Sequence, residues 1–252
     1  MKRWIYLIFK LCSLSLVILK SASGQTLNLD TNSQQAALTQ ANARYAAAIG
    51  PQLPLYNGQE YNFYNPAQFK GSAYFMETVL NPGDLYYDGA GYKGVQLLYD
   101  LYTDQLITVM PDQYTKFILI GDRVQNFDLL GHHFIHVNVD TTNSTAIKTG
   151  YYEELYHGRS EALSKRYKTV QNYQSTTGAQ EAYNYFTDAK VEFFIRKGNV
   201  YYRVTGQGDL LNILKDHKKQ LQQYIKANRI KYNRDAAAAL ATIAAYYDHI
   251  TN

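Results

Sequence analysis

Between residues 55 and 206 the chain runs in short stretches of Tyr, Phe, Val and Ile, each broken within a few residues by Gly, Asn or Asp. Aromatic and β-branched residues suit the pleated, half-buried surface of a strand, and Gly, Asn and Asp accept the positive φ angles of tight turns. This texture constrains the fold more than any other feature. It predicts strands over 73–79, 83–87, 92–99, 106–109, 115–120, 133–139, 151–156, 161–170, 191–196 and 200–205. Hairpin turns are expected at Asp88-Gly89, His157-Gly158 and Lys197-Gly198-Asn199. Sequential hairpins give an antiparallel meander, so 53–206 is expected to form a mainly β domain, a sandwich or an incomplete barrel, in an α+β chain. No βαβ alternation or phosphate-binding glycine loop is present, which argues against a Rossmann-type nucleotide domain.

The texture changes at residue 207. Leu210, Leu214, His217, Leu221 and Tyr224 recur at helical spacing, as do Ala236, Leu240, Ile243, Tyr247 and Ile250. Each set makes one apolar stripe, so 207–252 is expected to be a helical pair packed on the β domain. Asp209 and Asp235 stand where N-caps belong.

The first residues read MKRWIYLIFKLCSLSLVILKSASGQ. A positive leader, an apolar run of nine residues from Leu11 to Leu19 and small residues at Ala22 and Gly24 predict a signal peptide over 1–24, cut before Gln25. The run is too short for a transmembrane span, and Phe9-Lys10-Leu11 before Cys12 does not fit lipid attachment. Residues 25–52, rich in Ala, Gln, Asn and Thr, read as a linker or a loosely docked helix. The leader holds four of the 25 basic residues and none of the 21 acidic ones, so the remainder carries 21 of each. A neutral chain without a basic block argues against nucleic-acid binding. The one cysteine, Cys12, lies in the leader, so no disulfide, thiol nucleophile or cysteine-ligated metal is expected beyond it.

Four constellations invite chemistry. Asp84, Asp88, Asp100 and Asp104 suggest calcium, but their spacing does not match a calcium loop. The stretch 83–106 reads instead as a hairpin. Val95, Leu97, Tyr99 and Leu101 form its core face, Tyr92, Gly94 and Gln96 the other, and Asp84 and Asp104 should matter little to stability. In GHHFIHVNVD, His132, His136, Asn138 and Asp140 share a face. His132 and His136 stand about 13 Å apart in an extended strand, too far to share one ion, so a solvent-facing polar strip is expected and no metal. Glu153 and Glu154 are adjacent and point to opposite faces, so they cannot flank one glycosidic bond. The fourth feature is tyrosine itself, 25 residues. In the strand pairs 86–87, 151–152 and 201–202, one ring should be core and the other surface. Tyr86, Tyr92 and Tyr102 are the candidate aromatic surface, able to stack on sugar rings or meet a protein. Asn143 opens an N-glycosylation sequon. No catalytic residue, metal ligand or cofactor contact is identified.

The strings LYNGQEYNFY, KGSAYF, GDLYYDGAGYKGVQLLYDLYTDQLI and GYYEELYHG resemble a family of exported β-rich proteins of Bacteroidota that carries no assigned activity. The resemblance spans about residues 53–250 and implies a Gram-negative host and a periplasmic or outer-membrane-associated setting. The expected function is binding, to another envelope protein or to a glycan. The rival is a periplasmic hydrolase acting on glycan, with residues assembled only in the fold.

Overall fold

The computed structural model describes residues 36–37, 40–41, 44, 54–139, 146–174 and 182–251. The expected leader, most of the 25–52 segment and Asn143 lie outside them; the described residues from 36 to 44 are helical. The strands are β1 (Phe69–Lys70), β2 (Asn81–Tyr87), β3 (Ala90–Asp100), β4 (Gln105–Val109), β5 (Lys116–Ile118), β6 (Val124–Leu129) and β7 (His132–Val137). They continue with β8 (Gly150–His157), β9 (Glu161–Tyr167), β10 (Val170–Gln174), β11 (Ala182–Phe186), β12 (Lys190–Lys197) and β13 (Val200–Val204). The helices after residue 206 are α1 (Gln207–Ile213), α2 (Lys218–Ala227) and α3 (Ala236–Ile250).

Among the described residues ten strands form one antiparallel sheet in the order β13-β12-β9-β8-β7-β6-β2-β3-β4-β5. The turn chemistry closes its hairpins. Tyr87 pairs with Ala90 across Asp88 (φ 52°) and Gly89 (φ 78°), two successive left-handed residues as a type I′ turn requires. Lys197 pairs with Val200 across Gly198 (φ 61°) and Asn199, and His157 pairs with Glu161.

The sheet curls strongly. β3 and β8 stand four places apart, about 19 Å in a flat sheet. The rings of Tyr99 and Tyr151 nevertheless meet at 5.7 Å between centroids. Leu85, Tyr87, Leu97, Tyr99, Leu106, Phe127, Phe134 and Tyr151 fill the hollow. β5 and β13 are not paired with each other, so the barrel is incomplete. Urea unfolding of Leu97→Ala is expected to show a loss of about 2–5 kcal/mol, because Leu97 is fully buried. Gln96→Ala should stay within about 0.5 kcal/mol, since Thr108 bonds the Gln96 main-chain oxygen and not its side chain. Equal losses would refute this assignment of faces.

A second sheet, β1-β11-β10, covers the outer side of β3 and β4. There Leu98 and Ile107 pack with Tyr61, Tyr74 and Phe186. At the other end of the large sheet, Ala162, Ile195 and Val204 face Leu210, Leu221, Leu240 and Ile243 of the helices. Their strand neighbours Leu163 and Phe194 point the other way, into a cluster with Val137, Ile147 and Tyr152. The sheet is thus buried on both faces here, which is why Tyr151 and Tyr152 are both core, at 3% and 2% exposure, and not one core and one surface.

Several expected boundaries move. Residues 73–79 form no strand: Tyr74 makes one bridge to Asp100, and the main chain of Ala73 and Phe75 bonds Leu101 and Tyr99 as the segment crosses the end of β3. Its apolar residues are spent on two clusters, Phe75 inside the curl and Tyr74 outside. The run 161–170 is two strands in two sheets, β9 and β10. β6 and β11 were not expected, because Gln125, Asn126 and Asp128, and Asn184, dilute their apolar signal. The first helix of the C-terminal pair is broken by a 3₁₀ turn at Lys215–His217. Asp235 caps α3 as expected, accepting from the Ala238 amide at 2.9 Å. Asp209 is not a cap residue. It lies in the first turn of α1 and reaches back to the Thr205 amide at 3.0 Å.

Candidate binding face

The structure does not bring Tyr86, Tyr92 and Tyr102 together. Tyr86 is 42% exposed and pairs with Gly91 near one end of β3; Tyr102 is 44% exposed and follows its other end. Strand rise puts roughly 30 Å between them. Tyr92 is not on the outer face at all. Leu85 pairs with Tyr92 but Gly83 with Val95, so β3 holds an extra residue at a bulge where Gly94 takes φ 64°. The bulge reverses the alternation and turns Tyr92 toward the inner core.

The four aspartates also separate, each to its own task. Asp84 forms an exposed pair with Lys93 at 2.5 Å, and Asp88 makes the turn. Asp100 is fully buried and accepts four hydrogen bonds, from the hydroxyls of Tyr61 (2.9 Å) and Tyr64 (2.7 Å) and the amides of Tyr102 (2.8 Å) and Thr103 (3.1 Å). It ties the 60–75 segment to the β3–β4 turn. Asp104, expected to matter little, is instead a junction. It accepts from the Tyr99 hydroxyl (2.6 Å), Lys165 Nζ (2.6 Å) and the Tyr151 amide (3.3 Å), joining the β3–β4 turn to β8 and β9. Burial pulls the Lys165 ammonium below its usual range, against the pull of Asp104. Among the described residues no group of three or more His, Cys, Asp or Glu side chains could hold a metal ion.

The polar strip faces solvent only in part: His132 and His136 are half-buried, Asn138 is exposed, and Asp140 lies outside the described residues. Phe134 shares the face of His132 and His136 and is 1% exposed. His132 lies edge-on to Phe75, and its Nδ1 is 2.6 Å from Glu153 Oε1. Burial of His136 lowers its pKa. Glu153 points inward and also accepts from Ser164 Oγ (2.8 Å) and Arg166 Nε (3.1 Å). Burial pushes its carboxyl up, but the bonds from His132 and Ser164 and the charge of Arg166 outweigh that and hold it below the usual range. Glu154 points the opposite way, to His157 at 2.8 Å, so adjacent residues do take opposite faces. His132, Glu153 and Ser164 have the residue types of a catalytic triad but not its order. The Ser164 hydroxyl is on the carboxylate, where nucleophile activation needs it on the imidazole.

The aromatic face that does form lies on the second sheet. β10 and β11 pair Tyr173 with Tyr183 and Gln171 with Tyr185, while β1 sets Lys70 beside Tyr185. Paired residues share a side, so Lys70, Gln171, Tyr173, Tyr183 and Tyr185 line one face. Val170 and Phe186 line the other and pack on the aromatic cluster of Tyr61 and Tyr74. The Tyr173 and Tyr183 rings are 4.9 Å apart and tilted by 31°, and Tyr173 is 45% exposed. Tyr185 donates a hydrogen bond to Gln171, which fixes the amide beside the rings. The face is rigid from behind: Phe186 stacks on Phe69 at 5.5 Å and meets Tyr64 at 4.8 Å, whose hydroxyl is held by Asp100. The adjacent tyrosine pairs of the sequence do not include this alternating set. The signal was present in QNYQ and YNYF, where every second residue shares a face, but Asn and Gln weaken the strand signature.

No family model, curated protein or solved structure matches the chain. Among the described residues no helix is long and apolar enough to cross a membrane.

Proposed function

We propose that this is an exported, non-catalytic glycan-binding module of the cell envelope, and that the outer face of the β1-β11-β10 sheet is its binding surface. One observation carries the reading: Tyr173, Tyr183 and Tyr185 stand with Gln171 and Lys70 on one face of a sheet braced from behind. Aromatic rings give a sugar's C–H faces a flat apolar surface, and an amide offers both donor and acceptor to hydroxyl pairs. A protein partner is the second reading, favoured by the same exposed rings. Export and an envelope setting rest on the leader and on the family resemblance.

Affinity electrophoresis through envelope and capsular polysaccharides is expected to retard the protein. Tyr173→Ala and Tyr183→Ala should each weaken binding about tenfold, since ring contacts are worth about 0.5–1.5 kcal/mol beyond their area, while Tyr114→Ala, 82% exposed and elsewhere on the surface, should change nothing. Retardation that survives both substitutions would remove this face from consideration. Capture of a protein from the native envelope that depends on Tyr173, with no polysaccharide bound, would favour the second reading.

A further inference from the structure

We propose that the turn joining α2 to α3 is an oxyanion pocket that takes a phosphate group. The stretch 226–234, KANRIKYNR, holds four cations and no acid in a chain whose charges balance after residue 24. Arg229, Lys231 and Arg234 line one surface depression of about 440 Å³, together with Asp235, Ala238 and Thr242 from the start of α3.

Three features argue for a built site. First, the turn is anchored. Ile230 packs on the helix core, Tyr232 is 6% exposed, and the amides of Ile230 and Arg234 bond Ile225 (3.0 Å) and Lys231 (3.0 Å). Half-buried Ile230 and buried Tyr232 thus flank the outward Lys231 and anchor the turn. Second, the cations have no internal use. Among the described residues no ion pair or side-chain hydrogen bond involves Arg229, Lys231 or Arg234, although Arg166, Arg196 and Arg203 each hold a carboxylate. Asp235 is the one acid in the lining, and its Oδ1 accepts from the Ala238 amide. Third, Arg229 sits at φ 53° just past the end of α2, where glycine is the residue without steric penalty. A long cation thus stands where the backbone disfavours a side chain.

The ligand chemistry follows. Guanidinium forks match the tetrahedral oxygens of phosphate bidentately, and Lys231 adds a mobile point charge. Asp235 caps only the Ala238 amide, so the amides of Ala236 and Ala237 at the positive end of α3 have no intrahelical acceptor. The phosphate can come from a soluble phosphorylated molecule or from an anionic lipid headgroup. This pocket is independent of the glycan reading.

Calorimetric titration of the full chain with inorganic phosphate at low salt, with chloride as the reference, is expected to show saturable binding. Arg234→Gln and Arg229→Gly should each lower affinity about tenfold or more, whereas Lys219→Ala on the exposed side of α2 should not. Arg229→Gly should also leave Tm unchanged or raise it, which separates loss of a ligand contact from loss of structure. Co-sedimentation with phosphatidylglycerol vesicles, against phosphatidylcholine, identifies a lipid source if it too depends on Arg229 and Arg234. Phosphate binding no stronger than chloride, equal affinity in all variants, or a lower Tm for Arg229→Gly would overturn the proposal.

Discussion

Asp104→Ala is expected to destabilise the protein by about 3 kcal/mol, the usual result of stripping one partner from a buried pair. The carboxylate is 29% exposed and its partner Lys165 only 16%, so removing it leaves an ammonium largely out of water. It also orphans the Tyr99 hydroxyl, which lies in the inner core at 1% exposure. The surrounding backbone is shaped for this contact. A Cβ on Gly150 would collide with Asp104 Oδ2, and Gly150 holds φ 148°, so only glycine admits the carboxylate. The comparison is Asp84→Ala, whose pair with Lys93 is exposed at 39% and 73% and should change stability by no more than about 1 kcal/mol. Adding Lys165→Met to Asp104→Ala should recover part of the loss, because an apolar replacement of both partners removes the unpaired charge. Chemical denaturation of the three variants beside the unaltered chain decides it; Asp84→Ala proving as damaging as Asp104→Ala would refute the junction.

The second large effect is alkaline collapse. Burial, reinforced by Asp104, raises the Tyr99 phenol well above its ordinary range. Burial and the Tyr74 and Asp100 contacts raise Tyr61; burial and Asp104 raise Tyr151. Burial also lifts Tyr152 and, aided by Glu161, Tyr201 to about 12. Unfolded tyrosines ionise near pH 10. Above that pH the native chain holds more protons than the unfolded one, so stability falls as pH rises. The contribution is therefore fully present below about pH 10 and lost above it. Lys165 acts in the opposite sense, since its lowered value favours the fold as pH climbs toward the ordinary lysine range, but it is one group against several. Several phenols shifted in the same direction act together, so their ionisation weighs against the fold. Phenolate absorbance at 295 nm should rise in two stages, the later one above pH 10 and together with loss of far-UV circular dichroism, with the fold intact at pH 9. A smooth titration centred on pH 10 with unchanged dichroism would show that these phenols are accessible.

The sequence by itself determined what is local. Asp88-Gly89 and Gly198-Asn199 closed hairpins because few residues tolerate positive φ, and the leucine spacing at 210, 214 and 221 placed one helical stripe in the core. The faces of Leu97 and Tyr99 followed from the period of two as far as the alternation held. At Gly94 it failed, since one extra residue reverses every side chain beyond it, and Tyr92 moved inward. What depends on contacts distant in sequence was decided only by the tertiary structure. The curl brought Asp104 to Lys165, which lies 61 positions further on, and so turned an apparent turn residue into a junction. The second sheet joined residues near 70, 170 and 185 into one tyrosine face. Periodicity fixes which residues share a side of one strand; it carries no information about which strand lies opposite, because that choice rests on burial and charge pairing across the folded chain.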